Sequence, residues 1–267
     1  MDILSIIGLT LGLCAILAGA VLKGAGLMAL VSAAAFTIVV IGTVAAIFVQ
    51  TPLEVIKRAV RIFPWVMRPP PLQGPELIKK IVEWSNISRK QGLLSLEAVL
   101  NKEPDGFVRK ALQLVIDGGE PEVIRDVMEV ELNAREHADT RAAKVFEGMG
   151  IYCPTLGIIG AVLGLMAVMQ NLADPSKLGH GIAAAFTATL WGVLLANAVW
   201  LPLSNKLRRL SDEEVSYREM VIEGLLTMQL NASTTELKDR LDAFLPPSER
   251  NQAPTGPPLE EAPDAAA

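Results

Sequence analysis

Residues 24–53 read GAGLMALVSAAAFTIVVIGTVAAIFVQTPL, thirty positions without one Asp, Glu, Lys or Arg. Three more runs share that property: 3–22 (ILSIIGLTLGLCAILAGAVL), 148–173 and 178–205. The whole chain of 267 residues carries 24 Lys+Arg and 29 Asp+Glu, so the charges are concentrated elsewhere. Each run reaches the roughly 20 apolar residues a helix needs to cross about 30 Å of hydrocarbon. A soluble globular domain is excluded. The expected class is an all-α integral membrane protein with four transmembrane helices in two hairpins and about half its length outside the bilayer.

The start of the chain, Met1-Asp2, lacks the positive region of a secretory signal, and the first run is expected to be a retained span. Cys14 and Cys153, the only two cysteines, lie within or at the edge of apolar runs and imply no disulfide framework. Orientation follows from Lys and Arg near the span ends. Lys57, Arg58, Arg61, Arg68, Arg135, Arg141, Lys144, Lys206, Arg208, Arg209 and Arg218 flank the long loop and the exit from the fourth run, while the short loops hold only Lys23 and Lys177. This bias places the long loop and the C-terminus in the cytoplasm, and an even number of spans then puts both termini inside.

The expected organisation is a first transmembrane hairpin at 1–53, turned at 23–28; a cytoplasmic helical domain at 54–147; and a second hairpin at 148–205, turned at 174–180. A C-terminal cytoplasmic segment follows over 206–250, read as helix over 206–245 and ended by Pro246-Pro247, and then a disordered Pro/Ala/Glu-rich tail at 251–267. In the cytoplasmic domain, Val123, Val127, Ala134, Ala138, Ala142 and Val145 recur at helical steps and predict an amphipathic helix running without a breaker from Pro121 into the third span. Pro75 opens another helix, and Asp117-Gly118-Gly119 closes a third.

An ion-coupled transporter normally holds its ion on an ionisable residue in the membrane, and no such carboxylate or cation occurs in these runs. His180, at the outer end of the fourth, reads as a solvated loop histidine. Two readings remain: a non-conducting membrane scaffold, or half of an ion path whose acid comes from another chain. Thr155 and Pro154 in the third run and Thr187, Thr189 and Asn197 in the fourth favour the second, because such groups need helices or water around them. Gly8 and Gly12 in the first run and Gly157, Gly160, Ala161 and Gly164 in the third allow close helix approach, within one chain or in an oligomer. No metal-ligand cluster, nucleophile–base pair or phosphate loop suggests an enzyme, and no cofactor is expected.

Several motifs in order then carry a resemblance. Tyr152-Cys-Pro-Thr-Leu-Gly-Ile-Ile-Gly-Ala-Val-Leu-Gly-Leu165, Asn171-Leu-Ala-Asp-Pro, Thr189-Leu-Trp-Gly and Leu195-Ala-Asn-Ala-Val-Trp-Leu-Pro202 resemble the MotA/PomA family of flagellar motor stator A subunits, and most of all its MotC-type members. Ser88-Arg-Lys-Gln-Gly-Leu-Leu-Ser-Leu-Glu97, Val221-Ile-Glu-Gly-Leu-Leu226 and Phe244-Leu-Pro-Pro-Ser-Glu-Arg250 extend the likeness over nearly the whole chain.

The resemblance implies a homo-oligomer, five A subunits in the family, around two MotB/MotD-type B subunits whose single spans bring the ion-binding Asp. It implies ion flow converted into torque on the rotor protein FliG. Position by position, Arg89 and Glu97 match the charged pair facing the rotor, Pro154 and Pro202 the prolines flanking the ion path, and Thr189 its path-lining threonine. Ala161 stands where sodium-type members carry a threonine, so the expected coupling ion is H+ rather than Na+. Ile151 replaces an Asp that many members place at the cytoplasmic mouth; Glu147, one turn earlier, is the candidate substitute. An ExbB/TolQ-type energy-transducing subunit is the runner-up, disfavoured because that type usually has three spans.

Overall fold

The structure, a computed structural model, describes residues 3–24, 30–170 and 175–250. Four described helices are long and apolar enough to span a membrane: Ile3–Leu22, Ala33–Gln50, and the apolar parts of Pro121–Gln170 and Gly181–Gln229. The tail at 251–267, most of the turn at 23–28, Asn171–Asp174 and the side chain of His180 lie outside the described residues. Two compact units divide the chain. One comprises 1–70 and 134–213, the other 71–133 and 214–267.

In the first unit the described second-span helix starts at Ala33, capped by the Ser32 hydroxyl, which accepts from the Ala35 amide at 3.3 Å. The expected run from 24 was longer, because an apolar composition continues past the point where a cap ends a helix. Residues 175–180, expected as turn, are already helical: Pro175 opens Pro175–Leu194 in the position where its missing N–H costs nothing. After Pro52 the chain re-enters helix at Leu53–Ile62, whose Ala59 and Ile62 pack with Ile47, Phe146, Leu203 and Leu207.

An ion pair 81 residues apart in sequence fastens this base. Arg58 Nε and Nη2 donate to the two Asp139 oxygens at 2.6 and 2.8 Å, a bidentate fork, and the Asp139 side chain is only 7% exposed. A carboxylate so far out of water depends on its guanidinium.

The second unit has an aliphatic and aromatic core in which Ile81, Leu96, Phe107, Leu112, Met128, Leu225, Leu237 and Leu241 are fully buried. Fully burying each such side chain contributes about 1.5–3 kcal/mol. Gly74–Gln91 begins with Pro75 in its first turn, and Gly106–Ile116 is capped by Asp105, whose Oδ1 accepts from the Phe107 amide at 2.7 Å, and closed through Asp117 and Gly118 at φ 76°. Both helix boundaries agree with the sequence reading.

Two expectations change here. In Pro121–Gln170 the helix is continuous and Ala142 and Val145 are buried as predicted, but towards its start Ile124, Met128 and Leu132 are buried while Val123 and Val127 are exposed, so there the inward face lies one residue on from the predicted stripe. The bulkier Ile, Met and Leu side chains, one position further along, fill the core. The stretch 206–245 is not one helix either: Leu201–Gln229 ends at Asn231, at φ 56°, and Ser233 caps Thr234–Asp242 by accepting from the Glu236 amide at 3.1 Å. Pro247 opens the short helix Pro247–Arg250 instead of closing one.

Glu223 ties three elements of this unit together, accepting from Arg125 at 2.8 Å and Arg240 at 3.1 Å. The Arg125 hydrogen bond in particular, with that of Arg240, holds the Glu223 carboxyl below its usual range despite partial burial.

Asp139→Ala leaves the Arg58 guanidinium without its carboxylate and is expected to destabilise the chain by about 3 kcal/mol. Replacing both residues by Leu should recover most of that loss, read as the melting temperature in detergent. A single variant as stable as the wild type would show that the pair is not a structural fastening.

Candidate ion-path and rotor-facing sites

The third and fourth spans touch through their smallest residues. A Cβ on Gly157 would stand 2.9 Å from the Ala188 carbonyl oxygen and 3.3 Å from the Cα atoms of Gly192 and Thr189. One on Gly192 would stand 2.6 Å from the Cys153 carbonyl oxygen and 3.2 Å from the Pro154 Cα. Gly160 and Gly164 meet Ala188 and Ala185 in the same way, at 2.8 and 3.0 Å from their Cβ atoms. These glycines of the third span therefore serve contact within one chain, the first of the two uses the sequence left open.

This contact brings Pro154 and Thr189 together. Both are half-buried, and Pro154 lies inside its helix, where it removes one intrahelical hydrogen bond without ending the helix. Ala161, also half-buried, follows one turn beyond Gly157 on the same helix. The fold does not bring Pro202 to this contact. It is exposed and lines a groove with Gly8, Gly12 and Asn197.

Two π-helical segments, Thr37–Ile41 and Leu195–Trp200, interrupt the second and fourth spans. Val39 from the first and Ala196 from the second pack, fully buried, on Cys153, whose Sγ lies 3.3 Å from Thr43 Oγ1. Thr43 also donates to the Val39 carbonyl at 2.5 Å. Such widened turns recur at functional positions, and no residue pattern in the sequence announced them. Thr187 Oγ1 donates to the Ala183 carbonyl one turn earlier at 2.8 Å, and Asn197 Nδ2 to the Val193 carbonyl at 2.9 Å.

At the end of the third span, Ile151 is 59% exposed, and the Glu147 carboxylate is ion-paired with Arg208. Among the described residues no group of three or more His, Cys, Asp or Glu converges as a metal site would require.

In the other unit, Arg89 and Glu97 stand on either side of a corner. Gly92, at φ 84°, ends Gly74–Gln91; Leu96, fully buried, anchors the following 3₁₀ turn; and Glu97 begins Glu97–Leu100. Arg89 in a last helical turn and Glu97 in a first turn both complement the helix dipoles. Both side chains are exposed, and Arg89 Nη1 donates to Thr234 Oγ1 at 3.3 Å. Leu94, which falls between them in sequence, is 71% exposed and was not singled out from the sequence. An apolar side chain at a turn tip is visible as such only once Leu93 and Leu96 are seen to take the inward positions.

Residues 99–220 match the MotA/TolQ/ExbB proton channel family. The chain is 38% identical over 251 residues to motility protein A of Bacillus subtilis, covering 94% of this chain and 93% of that one. It is 32% identical over 252 residues to motility protein A of Borreliella burgdorferi, covering 94% and 97%.

The chain belongs to the motility protein A family. The fold of the MotAB structure of C. jejuni superposes with a TM-score of 0.89 at 28% identity, over 92% of this chain and 97% of that one. The flagellar MotAB stator complex of Bacillus subtilis gives 0.86 at 37%, over 93% and 98%. As a motility protein A the chain is an all-α, multi-pass protein of the inner membrane and a flagellar stator subunit, and the ExbB/TolQ alternative is not favoured.

Gly192→Leu is expected to part the third and fourth spans, with an overpacking cost of about 1–3 kcal/mol or more, and to abolish swarming in soft agar. Gly106→Ala, where nothing lies within 4 Å of the added Cβ, should leave swarming unchanged. Normal swarming of the Gly192 variant would refute the close backbone contact.

Proposed function

We propose that the chain is the A subunit of a proton-driven flagellar stator, assembled as a ring of copies around a MotB/MotD-type B subunit whose span carries the ion-binding carboxylate. One observation carries this reading: four spans free of Asp, Glu, Lys and Arg in a chain whose relatives are parts of MotAB stators. A desolvated proton needs a titratable resting place, and the partner's acid supplies it. The chain's own part is to wall the path. Thr189 and Pro154, set by the Gly157–Gly192 contact, provide a polar and kinkable lining, while Pro202 stands at the exit of the fourth span.

The distribution of Lys and Arg supports a cytoplasmic position for the unit that bears Arg89 and Glu97. There, an exposed cation and anion flanking Leu94 offer a contact to the rotor protein FliG in which charge sets register and speed of engagement. Arg89→Glu is expected to cut swimming severely while leaving membrane insertion and B-subunit binding intact, and an opposite reversal on FliG should restore it in part. Wild-type swimming by Arg89→Glu would remove Arg89 from the rotor contact.

Sodium coupling requires oxygen ligands to replace lost water, and Ala161 offers none. With Glu147 committed to Arg208, the mouth of the path also lacks a spare carboxylate at that position. Cells driven by this stator alone should swim at a speed independent of external sodium at fixed pH and stop with a protonophore. A speed that rises steeply with sodium would contradict H+ as the coupling ion.

A further inference from the structure

The helix Leu53–Ile62 and the 3₁₀ turn Phe63–Val66 that continues it carry two apolar faces. Val55, Ala59, Ile62 and Val66, at steps of four, three and four, pack with Ala142, Phe146, Leu203 and Leu207. A second set, Leu53, Ile56, Val60, Phe63 and Met67, recurs at alternating steps of three and four on the other side. Leu53 is 63% and Val60 68% exposed, Phe63 and Met67 are exposed, and Ile56 is half-buried. Beside this outer stripe, exposed Lys57 and Arg61 stand one turn apart, and exposed Arg68 continues their row. Glu54, the one acid in 53–68, pairs with Lys57 at 3.3 Å in full view of solvent, where such a pair contributes little.

This stretch lies across the base of the spans instead of projecting from them. Just before it, Gln50 Oε1 accepts from the Tyr152 hydroxyl at 2.8 Å; at its end the Val66 carbonyl accepts from Lys206 Nζ at 2.7 Å. Tyr152 stands near the start of the charge-free run 148–173 and Lys206 directly after the run 178–205. Both ends of the stretch therefore sit at the same edge of the membrane. The turn into it is made at Thr51, whose extended backbone, φ −116° and ψ 125°, is the conformation a following proline favours.

We infer that the outer face of this helix docks on the anionic surface of the cytoplasmic leaflet, with Leu53, Val60, Phe63 and Met67 at the boundary between headgroups and acyl chains and Lys57, Arg61 and Arg68 facing lipid phosphates. Place and charge select this partner. The second span ends at Gln50, so the bilayer surface is where the stripe emerges. A helix of low overall hydrophobicity with an apolar stripe edged by bases is the pattern that lies in a membrane interface. Bases at that depth are drawn to anionic headgroups, each favouring them over zwitterionic ones by roughly fivefold. Arg58 faces the other way, forked on Asp139, and belongs to the internal fastening. The inference rests on the orientation proposed above only in calling this leaflet cytoplasmic.

The full chain, purified with its B subunit and carrying a photo-crosslinking side chain at position 60, is placed in nanodiscs of equal parts phosphatidylglycerol and phosphatidylcholine. Both leaflets then have one composition, so the lipid contact is read whichever way the helix faces in the cell. Position 60 should capture phospholipid, phosphatidylglycerol over phosphatidylcholine by roughly fivefold. A combined Lys57→Gln, Arg61→Gln and Arg68→Gln complex should still capture lipid but take the two equally. Capture of a neighbouring copy or of the B subunit in place of lipid, equal capture of the two lipids with the bases intact, or an undiminished preference in the combined variant would each overturn the proposal.

Discussion

Gly192 and the Cys153 carbonyl approach so closely that a single methyl group between them would stand 2.6 Å from the oxygen. In lipid, where apolar side chains gain nothing from leaving solvent, helices are held by such contact and by hydrogen bonds, so the small residues of the third and fourth spans fix their relative position. Pro154 and Thr189 inherit that position. So does Cys153, around which the two π-helical segments close. The widened turns of the second and fourth spans pack on this residue of the third, and the proposed ion path is walled by these three spans.

The charge-free runs carry no Asp, Glu, Lys or Arg, although charged residues stand just outside: the Arg58–Asp139 fork and the Glu147–Arg208 pair. The cost of a charge in hydrocarbon explains the placement. At the membrane edge these pairs fasten helices; inside it, an unpaired acid in every one of several surrounding copies would be costly, and one supplied by a central partner is not repeated around the ring. The proposed division of labour between subunits would therefore keep desolvated charge to a minimum.

Much of this was legible in the sequence because absence of charge over twenty or more residues is a property of composition, insensitive to detail. Helix ends were less legible. Ser32 and Pro175 start helices inside or beside apolar runs, and Asn231 breaks one through a backbone angle rather than a hydropathy change. In Pro121–Gln170 the buried face was read correctly at Ala142 and Val145 but missed by one residue near the start, because Val123 and Val127 have the right period and only the packed core shows that Ile124 and Met128 are buried. The Arg58–Asp139 pair was invisible because its members are 81 residues apart and neither lies in a motif. Pro154, Thr189, Arg89 and Glu97 were singled out as candidates through the family motifs, and the structure adds that Pro202 lines a different groove from the contact of the first two.

The central claim is that this chain walls an ion path but does not hold the ion. Proton flux into liposomes containing the purified chain alone, compared with the chain co-assembled with its B subunit, tests it most directly. Flux should be at the level of empty liposomes for the chain alone and should appear with the B subunit, provided the carboxylate of the B span is intact. Robust proton conduction by the chain without a partner would contradict the account.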